Sequence, residues 1–188
     1  MGARSIAPRG REAVMAAVQA AAVDLLAERG PRDMTVREVA GRAGVNHALV
    51  HRHFGTKDAL IRTVVAEQSR ELATRAAALP RPDETAVLAL LSEHAAYWRV
   101  LARIVLDAPA MLADLELPAA AATLGLVTGG AAADEETRVG AAVAASTTLG
   151  WLVFGPHLAT VLGLTEPSAY DERIGQAVRA AVSRPRSR

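Results

Sequence analysis

The chain has 188 residues, long enough for one mid-sized protein with a small lobe and a larger core domain, and its lack of cysteine excludes disulfides and thiol chemistry. Its net charge of +1 conceals a division: residues 1–62 carry +4, residues 63–183 carry −6, and Arg184, Arg186 and Arg188 make a +3 tail. The basic first segment is where a polyanion is expected to dock, because each phosphate neutralised releases condensed counterions.

No N-terminal segment joins a basic start to a long apolar run, and uninterrupted apolar stretches such as 86–91 and 150–154 fall far short of a bilayer span. A cytoplasmic protein that does not engage a membrane is the expectation. Residues 1–9, with Arg4, Pro8 and Arg9 and no periodicity, read as a flexible basic arm, either laying arginine in a minor groove or without a role. Across residues 11–29, Val14, Val18, Ala21, Ala22 and Leu25 recur at helical spacing, and Gly30-Pro31 ends the run.

Residues 35–60, TVREVAGRAGVNHALVHRHFGTKDAL, predict two short helices about a glycine turn and the start of a third. Thr35 caps the first with its hydroxyl while Glu38, three residues on, reaches back to the Thr35 amide. Val36, Val39 and Ala40 then face inward. Gly44 stands where that helix stops and the chain turns through positive φ. Asn46 caps the next helix. Val45 and Val50 point into the crook of the turn, which leaves His47, Ala48, Leu49, His51 and Arg52 on or near the outer surface. An exposed helix with such residues near its N-terminus has the geometry that enters a major groove. Thr56 caps a long helix to about residue 79, with Leu60, Ile61, Val64, Val65, Gln68 and Leu72 along one side, and Pro80-Arg81-Pro82 stops it. That helix is the expected mechanical link between lobe and core.

Asp83 caps a further helix, whose stripe of Val87, Leu90, Leu91, His94, Trp98, Leu101, Ala102 and Val105 runs to about residue 106. Pro109 and Pro118 bracket a short helix, and Gly129-Gly130 closes another. Asp134, Glu135 and Glu136 favour the start of a helix through Val139, Val143, Ser146, Gly150, Phe154 and Val161, with a kink expected at Gly155-Pro156. A last helix follows Thr165 through Tyr170, Ile174, Ala177, Val178 and Ala181. The reading is all-α, with nine helices and no strand.

The first-helix ending Glu28-Arg29-Gly30, the capping box, Ala43-Gly44-Val45 and the run His53-Phe54-Gly55-Thr56-Lys57-Asp58-Ala59-Leu60 resemble the TetR family of one-component transcriptional regulators. The resemblance covers roughly residues 10–62; the remainder is similar in length and helical layout. It implies a nine-helix, two-domain TetR-like fold: a basic arm at 1–9, a helix-turn-helix DNA-binding domain at 10–58, an effector-binding and dimerisation domain at 59–183, and a basic tail at 184–188. It also implies a homodimer through the last two helices. Ala141, Ala142, Ala144, Ala145 and Gly150 would let one of these approach a neighbour closely, in a four-helix bundle across a two-fold axis or in ordinary intramolecular packing.

His47, His51 and His53 fall at i, i+4 and i+6, but no cysteine or carboxylate lies beside them and Arg52 would repel a cation, so no metal and no cofactor is expected. As DNA contacts, His47 and His51 can bond base edges or phosphates, Arg52 supplies charge, and Leu49 can touch a thymine methyl. Many relatives carry Tyr where this chain has His51, and Thr or Ser where it has Leu49, so the operator cannot be borrowed from them. Arg37 matches a family position that reaches DNA, with an ion-paired surface arginine as the alternative. Lys57 is expected to clamp a phosphate beside the amides of residues 56–59. The expected DNA-contacting set is Thr35, Arg37, Asn46, His47, Ala48, Leu49, His51, Arg52, Thr56 and Lys57.

In the second domain His94, Tyr97, Trp98, Arg103, Met111, Trp151 and Phe154 are the candidates to line a small-molecule pocket, and Tyr97, Trp98, Trp151 and Phe154 are four of only six aromatics in the chain. Plain core is the competing account. No GxxxxGK[ST], HExxH or GxSxG is present, nor a GxGxxG after a strand, so no enzyme is expected. The function read is a sequence-specific DNA-binding regulator, a repressor released from a palindromic double-stranded operator by a small, largely apolar effector. The rival is a helical small-molecule sensor or carrier acting through protein partners.

Overall fold

A computed structural model describes residues 10–79, 84–128 and 135–164, together with Arg173 and Gln176. The elements are α1 (Arg11–Asp33), α2 (Val36–Ala43), α3 (His47–Phe54), α4 (Lys57–Ala77), α5 (Glu84–Glu93), α6 (Ala95–Asp107), a 3-10 helix (Pro109–Asp114), α7 (Pro118–Thr128) and α8 (Glu135–Val161). The fold is all-α, with no strand among the described residues. The expectations for the basic arm, Pro80-Arg81-Pro82, Asp83, Gly129-Gly130, Asp134, the last helix and the tail lie outside the described residues.

The described residues fall into two compact units: one takes in those up to Gln68 with Arg99–Glu116, the other Ser69–Trp98 with those from Leu117 onward. In the first unit, α1 buries Val14, Val18, Ala21, Ala22 and Leu25 as its spacing predicts, and Leu26 with them. Val39 of α2, Val50 of α3, Leu60, Ile61, Val64 and Val65 of α4, and Ile104 of α6 complete this core. At about 1.5–3 kcal/mol for each fully buried aliphatic side chain, this apolar set outweighs any surface contact in the unit. The α1 trace breaks at Gly30, where φ 81° and ψ 173° belong to a backbone region essentially reserved for glycine, and Pro31, Arg32 and Asp33 form one more turn beyond the expected end. The Asp107 carboxylate and the Arg103 stem occupy the space a Cβ at residue 30 would enter, and Arg103 donates to the Glu28 carbonyl at 3.4 Å.

In the second unit, Leu72, Ala76, Leu90, Leu91, Tyr97, Trp98, Ala119, Trp151 and Ala159 are buried. The fully buried Ser69 hydroxyl accepts the Ala119 amide at 3.0 Å, which satisfies a first-turn donor of α7. Arg75 of α4 pairs with Glu93 of α5. The single helix expected to run to residue 106 is instead two, α5 and α6, parted at His94. The His94 amide turns to Leu91 O at 3.2 Å, while the Leu90 carbonyl, which a continuous helix would offer to that amide, is taken by the buried His94 Nδ1 at 2.9 Å.

Pro109 opens the 3-10 helix and Pro118 opens α7, where proline's missing N–H costs nothing. α8 runs on through Pro156 to Val161. Its segment Arg138–Val161 is 24 residues long and little buried, and by length and composition it is apolar enough to cross a membrane. Alanine, glycine, serine and threonine join the short apolar stretches into this one length. Val139, Val143, Phe154, Leu158 and Val161 stand exposed along it.

Candidate nucleic-acid interface

The first unit presents its helix ends through local hydrogen bonds that the sequence makes obligatory. Thr35 Oγ1 accepts the Glu38 amide at 3.3 Å, and Glu38 Oε2 accepts the Thr35 amide at 3.0 Å and hydroxyl at 2.8 Å, which closes the capping box at α2. The Thr35 hydroxyl, then its amide, hold the Glu38 carboxyl below its ordinary pKa, with Arg29 adding to the effect against a desolvation penalty. Two ion pairs fix α2 on α1: Arg42 grips both oxygens of Glu28 at 2.7 and 2.9 Å, and Arg29 meets Glu38 at 2.8 Å. These exposed pairs orient the helices more than they stabilise them.

α2 ends at Gly44 in the left-handed conformation, φ 66° and ψ 30°, which a Cβ would disfavour. The Val45 amide closes back on Ala40 O at 3.0 Å, and Asn46 Oδ1 then accepts the Ala48 amide at 2.8 Å to open α3. Val50 and Phe54 turn into the core. His47, Ala48, His51 and Arg52 are exposed, while Leu49 and His53 are half-buried. The His47 and His51 rings meet edge to face, with centroids 4.8 Å apart.

α4 opens with Thr56 Oγ1 accepting the Ala59 amide at 3.1 Å. Lys57 is not a bare surface cation: its Nζ donates to the Arg32 carbonyl at 2.9 Å, tying the start of α4 to the end of α1. An ammonium has three protons, so two remain for a phosphate. Arg37 is exposed and has no ion pair among the described residues. The expected contact residues thus lie on one unit, at the start of α2, before and along α3, and at the start of α4.

The expected ligand residues do not gather in the same way. Arg103 and Met111 belong to the first unit, and His94, Tyr97, Trp98, Trp151 and Phe154 to the second. Of the latter, Phe154 is 56% exposed and the other four are buried. The Tyr97 and Trp98 rings pack edge to face at 4.8 Å. Tyr97 Oη, Trp98 Nε1 and Ser92 Oγ are buried without a hydrogen bond of ordinary geometry among the described residues. Burial pushes the Tyr97 phenol above its ordinary pKa, and the neighbouring Ser69 hydroxyl acts weakly in the opposite sense. In the first unit a groove of about 500 Å³ opens among Arg32, Lys57, Arg62, Asp107 and Met111; of the expected ligand residues only Met111 borders it.

Sequence reasoning missed three tertiary ties here. Lys57 to Arg32 and Arg103 to Glu28 join residues 25 and 75 positions apart and leave no pattern in the sequence. The third, His51 Nδ1 to Gly55 O at 2.9 Å, does have a local signal, a histidine four residues before a helix-ending glycine.

A family model described as bacterial regulatory proteins, tetR family, matches residues 19–64. The chain is 38% identical over 178 residues to the HTH-type transcriptional repressor Rv3405c of Mycobacterium tuberculosis, an alignment covering 94% of this chain and 91% of that one. It is similar in fold to a TetR-like transcriptional regulator from Rhodococcus sp. RHA1, with a TM-score of 0.64, 16% identity, and coverage of 94% of this chain and 100% of the other. A second solved structure, the transcriptional regulator FadR of Bacillus subtilis in complex with stearoyl-CoA, gives a TM-score of 0.55 at 14% identity over 87% of this chain and 96% of that one.

Proposed function

The chain belongs to the TetR family of bacterial regulatory proteins, and from that premise we propose that this DNA-binding transcriptional regulator is a repressor acting as a cytoplasmic homodimer. Each copy offers residues 10–58 to one half of an imperfect palindrome, with residues 59–183 for effector binding and dimerisation. Two-fold symmetry sets the recognition helices about 34 Å apart, one turn of B-DNA. The observation that carries this is the placement of α3: Val50 and Phe54 anchor it while His47, Ala48, His51 and Arg52 face outward. Arg37 and Lys57 flank it, Lys57 through the protons that Arg32 leaves free.

The exposed apolar residues of α8 support the homodimer, because a second copy would cover them and would account for the helix's apolar length without a bilayer. The buried Trp98 N–H, without a hydrogen-bond partner among the described residues, and the buried Tyr97 ring beside it support an effector with a largely apolar body and a hydrogen-bond acceptor. Effector binding would lower DNA affinity by a coupling of about 1–3 kcal/mol, and reciprocity requires DNA to weaken effector binding equally.

The test is selection from a random duplex pool by the full-length protein at two salt concentrations. The expected product is a palindrome with half-sites one turn apart and an affinity that falls steeply with salt. If no palindrome is enriched, the sensor that works through protein partners becomes the better account.

A further inference from the structure

His51 lies on the exposed side of α3, and both of its hydrogen-bonding ends are defined. Its ring nitrogen Nδ1 is 2.9 Å from the Gly55 carbonyl oxygen, while the Gly55 amide donates to the His51 carbonyl at 2.9 Å. The two residues form a reciprocal latch at the end of the helix. A carbonyl oxygen only accepts, so Nδ1 must carry the proton. In the neutral ring Nε2 is then left as a bare acceptor, on the side of the ring away from Gly55. The ring also meets His47 edge to face, with centroids 4.8 Å apart.

In the major groove an acceptor is complementary to the amino groups of adenine N6 and cytosine N4, and is repelled by guanine O6 and N7 and by thymine O4. We propose that the His51–Gly55 latch makes His51 a hydrogen-bond acceptor toward DNA, selecting an amino-bearing base, adenine or cytosine, at one position of each half-site. This rests on the DNA-binding reading above and adds the polarity of one contact to it. A phosphate offers no hydrogen to accept, so the latched neutral ring is poorly suited to a backbone contact.

Two measurements test it on the full-length protein at about pH 8, where the neutral imidazole is the form of interest. Long-range nitrogen–proton NMR of the imidazoles reports the tautomer without DNA; Nδ1–H is expected for His51, and a predominant Nε2–H form overturns the proposal. Selection from a random duplex pool is then run for the wild type, His51→Ala and His51→Arg. The wild type is expected to enrich one half-site position in adenine or cytosine by about threefold to tenfold, the size of one neutral hydrogen bond. His51→Ala should flatten that position alone, and His51→Arg, which can only donate, should move it to guanine. A wild-type palindrome left unchanged by both substitutions, or wild-type binding that does not fall when the major-groove amino group is removed from the pair His51→Ala affects (purine in place of adenine), refutes the latch's role and leaves the regulator standing. Absence of any palindrome refutes both.

Discussion

Glu38 makes a helix cap and an inter-helix ion pair with one carboxylate, and its charge is the common requirement of both. Its pKa in the fold lies below the ordinary value of 4.5, so its contribution is present above pH 4.5 and is lost as pH falls through the depressed value. A Gln at the third helical position can still cap, but carries no charge. Glu38→Gln is therefore expected to lower the melting temperature at about pH 6–7, with the gap to the wild type narrowing as pH falls below 4.5, as followed by circular dichroism. A gap that persisted undiminished in acid would show that shape rather than charge is what matters at this position. Lys57 also serves two partners. Lys57→Ala should weaken binding to all duplexes alike and reduce the salt slope by about one unit, and should separately cost about 1 kcal/mol of stability through the lost bond to Arg32 O. An unchanged salt slope with the stability loss intact would leave Lys57 only the structural half of that role.

At the scale of elements, the helix-turn-helix was legible because its determinants sit within a few residues of one another. Thr35 finds Glu38 three positions on, Asn46 finds Ala48 two positions on, and Gly44 meets the turn's demand for positive φ by itself. The parting of α5 from α6 was not legible, because Leu90, Leu91 and Trp98 stay buried across it and the apolar stripe gives no sign of a break. What parts the helices is the His94 ring competing with its own amide for the Leu90 carbonyl. His94→Leu keeps an apolar side chain in place but removes the donor, and is expected to lose about 1–3 kcal/mol in urea unfolding. Should the variant prove as stable and more helical, α5 and α6 would be capable of running on as one helix. Likewise, the outward-facing residues of α3 could be read from spacing, whereas which nitrogen of His51 is free depends on a carbonyl that only the folded helix end supplies. Scarcity of aromatics pointed to Tyr97, Trp98, Trp151 and Phe154, but gave no sign that Arg103 and Met111 fall in the other compact unit or that Phe154 stands exposed.

For the whole molecule, α8 carries more exposed large apolar side chains than any other element among the described residues. Val143 is 47% exposed and Phe154 56% exposed, on a helix apolar along most of its length. In the proposed homodimer a charge placed there would be buried, whereas a monomer would tolerate it. Val143→Glu is therefore expected to halve the mass measured by light scattering while leaving the helical signal intact. It should weaken operator binding by about a hundredfold or more, because the second half-site contact ceases to be intramolecular. A Val143→Glu protein of unchanged mass would move the two-fold interface elsewhere. α4 and α6 each supply residues to both compact units, so the proposed coupling of effector to operator has two continuous helices available to it.

Gly30 bends the chain in a way that other amino acids adopt only at a high cost, and Asp107 fills the space a methyl group would take. If the proposed repressor role holds, codon 30 should therefore recur in a genetic screen for loss of repression. Missense changes there should lower stability by about 1–3 kcal/mol, although the residue lies off α3 and its replacement would remove no group aimed at a base.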